Sequence, residues 1–280
     1  MGTFEKLGYL NDDFRIFHLM DNEKKEFDFH YHDFNKIMIF LSGNLNYSIE
    51  GRNYHLNPYD ILLVNAGEVH RPVCLDNSVY DRIIVYVSTK FLASYSSEEY
   101  NLMHCFDKAK KEHSNVLRIP SLDKSKLYHV CKELELSFKD NDFARELYQK
   151  ILFLEFMIQL NRTVISNHVN YLDSDMANDK LLAILDYINT HLTEDITIDT
   201  LANTFFLSRY YLMHFFKEHT GYTVGNYITE KRLLLARHFV QAGYTSTQSC
   251  YMSGFKNYST FSRAFKKAFK TMPKNAPYID

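Results

Sequence analysis

The sequence predicts an α+β protein of two domains, a small antiparallel β-barrel with two flanking helices followed by an all-α module. The pattern changes along the chain: short runs rich in Ile, Val and Tyr, cut by turn residues, fill the first third, and three-to-four-residue apolar spacing takes over after Pro120. At 280 residues the chain is also longer than one core usually organises, which is about 100–200 residues. Charge divides in the same sense. Residues 1–179 carry 20 Lys+Arg against 27 Asp+Glu and residues 180–280 carry 12 against 7, so a net −2 is composed of −7 and +5. A mean near neutrality argues against a basic polyanion binder, whereas the divided chain places an acidic part beside one that can approach phosphate.

Phe14 to Met20 predicts a first strand. From Lys36 to Ser88 the pieces KIMIFL, LNYSI, NYHL, ILLV, VHRPVCL and VYDRIIVYVS are four to ten residues long and rich in Ile, Val and Tyr. Gly, Asn, Asp and Pro separate them, which predicts strands joined by tight turns in a small antiparallel barrel. Leu127, Val130, Cys131, Leu134 and Phe138 then mark one face of a helix. A second helix is expected from Asp142, as N-cap, to Arg162, with Leu147, Ile151, Leu154, Phe156 and Ile158 as a broad apolar surface. Two uses fit this helix pair, covering the barrel's open end or pairing with another subunit. Periodicity fails from Val164 to Asp179, the expected linker. Beyond it, helices are expected at Lys180–Leu192, Ile198–Phe205, Arg209–Thr220, Val224–Ala242, Thr245–Met252 and Tyr258–Phe269.

Cys74, Cys105, Cys131 and Cys250 form no CxxC pair and no zinc-finger spacing, and read as reduced thiols of a cytoplasmic protein. No leader pattern and no apolar run of about 20 residues is present, so neither secretion nor membrane spanning is expected.

An internal repeat carries the chemistry. Ser208–Gly221 and Asn257–Lys270 superimpose at an offset of 49 residues, pairing Ser208 with Asn257, Leu212 with Phe261, Phe216 with Phe265 and Lys217 with Lys266. Each begins with a good N-cap and spaces its large apolar groups four apart, so one stripe packs inward. Arg209, Tyr210, Met213, His214 and Lys217 remain on the outward face of the first helix, and Tyr258, Ser259, Ser262, Arg263 and Lys266 on that of the second. A short helix and a turn precede each one. That is a helix-turn-helix unit, whose second helix fits a major groove about 12 Å wide.

The C-terminal hundred residues resemble the AraC/XylS family of bacterial transcription regulators. The resemblance rests on Leu201-Ala202, SxxYLxxxFK at Ser208–Lys217, Gly221, RLxxA at Arg232–Ala236, Gly254-Phe255, FSRAFKK at Phe261–Lys267 and Pro273. It implies a linker helix at Val224–Ala242 that presents both reading helices to successive major grooves of double-stranded promoter DNA, about 34 Å apart. The implied base readers are Arg209, Tyr210, Met213, His214, Ser259, Ser262 and Arg263, with Tyr258 beside them. Lys217, Lys266 and Lys267 suit phosphate, since such contacts position rather than specify. The second unit departs from the pattern: Ser246 and Ser249 stand where apolar residues are expected, Cys250 where Ala is, and Lys270 where the first repeat has Gly221. The first unit is therefore expected to supply more of the sequence discrimination.

His30 to Pro72 resembles the cupin-like sensor domains often joined to this module, with His30-x-His32, Pro58 to Asp60 and then His70. The resemblance implies a sensor and dimerisation domain at 1–163, a linker at 164–179 and a DNA-binding domain at 180–280, in a homodimer that meets RNA polymerase. Activation is the expected direction. His30, His32 and His70 are the expected ligand-binding residues for a small effector such as a sugar. No metal or cofactor is expected, because Lys36 occupies the acidic position four after His32 and repels a cation. No GxSxG, P-loop, GxGxxG or HExxH motif occurs, so no enzyme is expected. The competing readings are a cupin-type enzyme, which needs a complete metal site, and an adaptor whose helical units no longer touch DNA.

Overall fold

The computed structural model describes residues 10, 12–23, 25–139, 141–166, 168–174 and 179–275. Its first part is built from β1 (Phe14–Asp21), β2 (Asn35–Ser42), β3 (Leu45–Ile49), β4 (Arg52–His55), β5 (Ile61–Val64), β6 (His70–Cys74) and β7 (Tyr80–Val87). After α1 (Thr89–Ser94) and α2 (His104–Lys111) come β8 (Val116–Arg118), α3 (Lys126–Ser137), α4 (Arg145–Ile165) and β9 (Asn170–Tyr171).

Two antiparallel sheets result, a six-stranded one in the order β1-β7-β2-β5-β8-β9 and a three-stranded one in the order β4-β3-β6. The run Ile37–Phe40 is buried on both faces for a simple reason. Alternate side chains of a strand point to opposite sides. Met38 and Phe40 join Leu45, Tyr47, Ile49 and Tyr54 in a core between the sheets. Ile37 and Ile39 join Phe91, Phe106, Phe153 and Phe156 in a second core under the helices. The helix pair thus covers the outer face of the large sheet. Pro72 has no N–H to give, and it lies on β6, at an edge of the small sheet.

Several elements differ from expectation. The helices α1 and α2 and the strand β8 lie outside the elements the sequence predicts, being short and without a sustained period. The aperiodic stretch 164–179 contains β9, which pairs with β8. Asp142 is not the cap of α4: the helix begins at Arg145 after Ala144, which has φ 57°, and the Asp142 carbonyl accepts the Arg145 N–H.

The second part is α5 (Asp179–Thr190), α6 (Ile198–Thr204), α7 (Arg209–Thr220), α8 (Val224–Gln241), α9 (Ser246–Met252) and α10 (Tyr258–Phe269). It has two cores. Leu181, Ile184, Leu201, Leu212, Phe216 and Tyr227 form the first, and Phe29, Tyr31 and Val69 of the β domain enter it. Leu233, Ala236, Val240, Cys250, Phe261 and Phe265 form the second. The smaller core contains the irregular residues. Ser246 Oγ accepts from the Tyr258 hydroxyl at 3.1 Å, but Ser249 is fully buried and its Oγ has no hydrogen-bond partner. An unsatisfied buried hydroxyl costs about 1–3 kcal/mol. Ser249→Ala is therefore expected to raise the stability of this unit by about 1 kcal/mol. Denaturant unfolding of the full chain checks it; a loss of stability would show that the hydroxyl is satisfied in solution.

Candidate nucleic-acid interface and effector site

Each reading helix is set by its caps. Ser208 Oγ accepts from the Tyr211 N–H, Asn257 Oδ1 from the Thr260 N–H, and both helices close on a left-handed residue, Gly221 at φ 74° and Lys270 at φ 59°. Arg209, Tyr210, Met213, His214 and Lys217 all lie on the exposed side of α7. The Tyr210 and His214 rings touch at 4.3 Å between centroids, and Arg209 Nε is 3.1 Å from Asp199, an exposed pair that phosphate or a base edge can displace. On α10, Ser259, Arg263, Lys266 and Lys267 are exposed, with Arg263 Nε donating to the Ser259 carbonyl at 3.3 Å. Ser262 is a correction. Expected on the outward face, it is only 8% exposed, because its position turns toward the Phe261 and Phe265 side of the helix. Tyr258 is half-buried, its ring packed on Phe261.

The helix α8 fixes the spacing of the two units. Its 18 residues span about 27 Å at 1.5 Å per residue. Arg232 on this helix donates to the Leu192 and Glu194 carbonyls in the turn that follows α5. Gly254, in the α9–α10 turn at φ 88°, closes against the same place: a Cβ there would lie 2.8 Å from the Leu192 carbonyl oxygen and from Thr193 Cα. RLxxA and GF thus have one common physical purpose, joining α5, α8 and the second unit.

At the end of the space between the sheets, His30, His32 and His70 converge. His30 and His70 are bridge-paired through their backbones, and the rings lie 4.4 to 5.1 Å apart between centroids. All three are buried. Nδ1 of His30 bonds the Asp28 carbonyl and Nδ1 of His70 the Glu68 carbonyl, both at 2.9 Å, so each Nδ1 carries the proton and each Nε2 keeps its lone pair. Burial, aided by the Lys36 charge, pushes His30 down to about 4 and His70 well below the usual imidazole range. Lys36 is in the same interior, donating to the Tyr47 hydroxyl at 2.8 Å, and burial brings it down to about 7.

Residues 18–155 match the AraC-like ligand binding domain family, and residues 201–276 match a helix-turn-helix domain family. Similar sequences include the HTH-type transcriptional activator RhaS of Shigella sonnei, 24% identical over 259 residues that cover 89% of this chain and 87% of that one. RhaS of an Escherichia coli strain is 23% identical over the same length, with the same coverage. Among solved structures, ToxT from Vibrio cholerae is similar at 16% identity and a TM-score of 0.38, over 94% of this chain and 97% of that one. The C-terminal domain of the response regulator yesN from Fusobacterium nucleatum matches 35% of this chain and 98% of its own at 23% identity and a TM-score of 0.34.

The chain belongs to the AraC/XylS family. It is a DNA-binding transcription regulator, with a ligand-binding β domain followed by two helix-turn-helix units. No helix among the described residues is long and apolar enough to cross a membrane.

The contact between the two parts of this AraC-family chain was not legible from its sequence. Glu50, in the β3–β4 turn, accepts from Lys231 Nζ at 2.8 Å, from the Val69 N–H at 2.7 Å and from the Tyr227 hydroxyl. Lys231 Nζ also donates to the Gly67 carbonyl at 2.9 Å. Tyr31 donates to Glu230 at 2.6 Å, and Arg237 is ion-paired with Asp33. All the C-terminal partners lie on α8. These pairs are 164 to 199 residues apart in sequence, except Asp33 with Arg237, which is farther still. Nothing periodic marks them; the nearest signal is the unusual polarity of α8's inward face at Glu230 and Lys231.

Burial raises the Glu230 carboxyl above its usual range, against the pull of the Tyr31 hydrogen bond. A raised carboxyl contributes stability that is complete below its ordinary value of 4.5 and lost as pH rises through the raised one. Docking of the β domain on α8 should therefore weaken across that interval. Glu230→Gln, which keeps an acceptor for Tyr31, should flatten the dependence, as read by thermal unfolding from pH 4 to 8. An unchanged slope would remove Glu230 as its cause.

Proposed function

We propose that this regulator activates transcription as a cytoplasmic homodimer, non-enzymatically, in response to a small effector received at His30, His32 and His70. The domains responsible are taken as 1–163, 164–179 and 180–280. One observation carries the reading. Along His30–Asp33, the side chains of His30 and His32 enter the histidine cluster while those of Tyr31 and Asp33 hold Glu230 and Arg237 of α8. An occupant that shifts the histidines must also shift what grips the helix between the two DNA-reading units. Such coupling equals the difference in the occupant's affinity for two arrangements.

Pairing of two copies is supported by α4, which leaves Leu147, Ile151, Ile158 and Ile165 exposed in a stripe while Phe153, Phe156 and Leu160 face the core. Dimerisation would bring four helix-turn-helix units to one promoter and offer RNA polymerase a defined face. Relatives named as activators favour that direction of control. A sugar or other polyol is the organic effector class that three imidazoles suit, since its hydroxyls donate to ring nitrogens.

The test is operator binding across salt and effectors. Specific binding whose logarithm falls steeply with log salt supports the regulator; a flat response supports the adaptor reading. Within it, Arg209→Ala with His214→Ala is expected to relax base preference more than Arg263→Ala, each lost bidentate contact being worth about 1–3 kcal/mol. The reverse order would place the discrimination in the second unit.

A further inference from the structure

We propose that the first helix-turn-helix unit selects thymine by its 5-methyl group, with Tyr210 and Met213 of α7 as the side chains that cover it. The inference rests on the reading of α7 as a base-reading helix and deepens it by naming the base chemistry that this face selects. Tyr210 is 70% exposed and Met213 41%. Standing three apart, they are neighbours on one face of the helix. The fold does not need them there. The repeat places Ser259 and Ser262 at the equivalent positions of α10, which keeps a side-chain cap and buries Phe261 and Phe265 where α7 buries Leu212 and Phe216. Tyr211 is also exposed, but its ring stacks on Phe215 and so serves the helix itself.

Charge separates the two units further. Residues 198–220 hold two Lys+Arg and two Asp+Glu, whereas residues 246–269 hold four and none. Of the two cations in the first unit, Arg209 stands 3.1 Å from Asp199. A unit without net charge gains less than the second from releasing the counterions around phosphate, so more of its affinity must come from base edges. In the major groove those edges carry hydrogen-bond donors, acceptors and one apolar group, the thymine methyl. Methionine has no donor and only a weak acceptor in its thioether, which leaves the methyl as the feature Met213 can read. The Tyr210 ring, packed against His214, adds a flat apolar surface on the same face.

Covering one methyl is worth about 0.8 kcal/mol, or about fourfold in affinity. That gain is independent of salt, because an apolar contact releases no counterion from the duplex. Loss of Tyr210 or Met213 should therefore change which sequence is preferred and leave the salt dependence as it was. Loss of Lys266 should do the opposite, lowering the slope of log affinity against log salt by about 0.9 with the preference intact.

The experiment starts from duplexes that the full-length protein selects out of a random-sequence library. In the preferred duplex each thymine is replaced singly by uracil, which lacks only the methyl, and by 5-bromouracil, which restores a group of similar size. At one position or more, uracil is expected to weaken binding about fourfold and 5-bromouracil to recover it. There Tyr210→Ala or Met213→Ala should bind the thymine and uracil duplexes equally, with an unchanged salt slope and, since both side chains are exposed, an unchanged Tm. Uracil substitutions that all stay within about twofold, half the expected effect on a logarithmic scale, overturn the inference. So does a uracil effect that survives in both variants, which would assign it to another residue or to the stiffness of the duplex. The parent reading is scored separately. If selection enriches a sequence and uracil is without effect, α7 reads bases by other contacts and only the methyl inference falls. If selection enriches nothing, both fall.

Discussion

Replacing Glu50 with Ala is expected to detach the β domain from α8, at a cost of about 3–5 kcal/mol to their docking. One carboxylate receives three donors there, Lys231, Tyr227 and the Val69 backbone. Lys231 is itself only 15% exposed. Removing the acceptor leaves a covered ammonium with only the Gly67 carbonyl and a buried phenol with a weakened network, a worse state than never having had the pair. The loss should appear as two separated unfolding transitions where the wild type shows more coupled melting, and as faster proteolysis between the two parts. Glu50→Gln, which keeps an acceptor for Tyr227, should lose less. If E50A melts like the wild type, the parts do not stabilise one another through this residue. Operator affinity measured on the same variant then reports the direction of control: a gain means docking restrains DNA binding, and a loss means docking supports it.

Gly254→Ala should be nearly as damaging, through geometry alone. At φ 88° a side chain is already strained, by about 1–3 kcal/mol. The added carbon would also stand 2.8 Å from two backbone atoms of the turn after α5, which cannot rotate away as a flexible side chain can. The second helix-turn-helix unit must tilt on α8 to relieve the clash. We expect a loss of about 2–4 kcal/mol in that unit's stability, of the kind strained backbone and overpacking produce together. Operator binding should fall toward the affinity of the first unit alone, with fewer bases protected at one end of the footprint. A full-length footprint in G254A would contradict this account of the joint.

The legible parts of the fold were those with a period. The strands β1 to β7 and the helices from α5 to α10 followed from turn-bounded apolar runs, three-to-four spacing and cap residues such as Ser208 and Asn257. Burial on both faces of β2 was implicit in KIMIFL, although the sequence does not say which partner covers which face. What stayed hidden was short or long-range. Val116–Arg118 is three residues, too few for a pattern, and Ala144 displaced Asp142 as the start of α4 because a left-handed residue and the following chain direction decided the boundary. At the DNA face, exposure followed the helical wheel for Arg209, Tyr210, Met213 and His214, and failed at Ser262, where a small side chain sits at the margin of the apolar stripe. The histidines were individually visible. The resemblance also grouped them as one ligand site; what the sequence did not show is the His30–His70 backbone bridge that closes the cluster.

The stretch His30–Asp33 constrains how such a chain can vary. Its two roles are separated only by parity: the even-numbered residues serve the cluster and the odd-numbered ones serve α8. Loss or gain of a single residue between Phe29 and Phe34 would exchange the two sets, sending Tyr31 and Asp33 inward and the imidazoles toward the helix. Point substitutions can tune either role without the other, yet length there can change only by two residues at a time. Sensing and reading can thus diverge in chemistry while remaining locked in register.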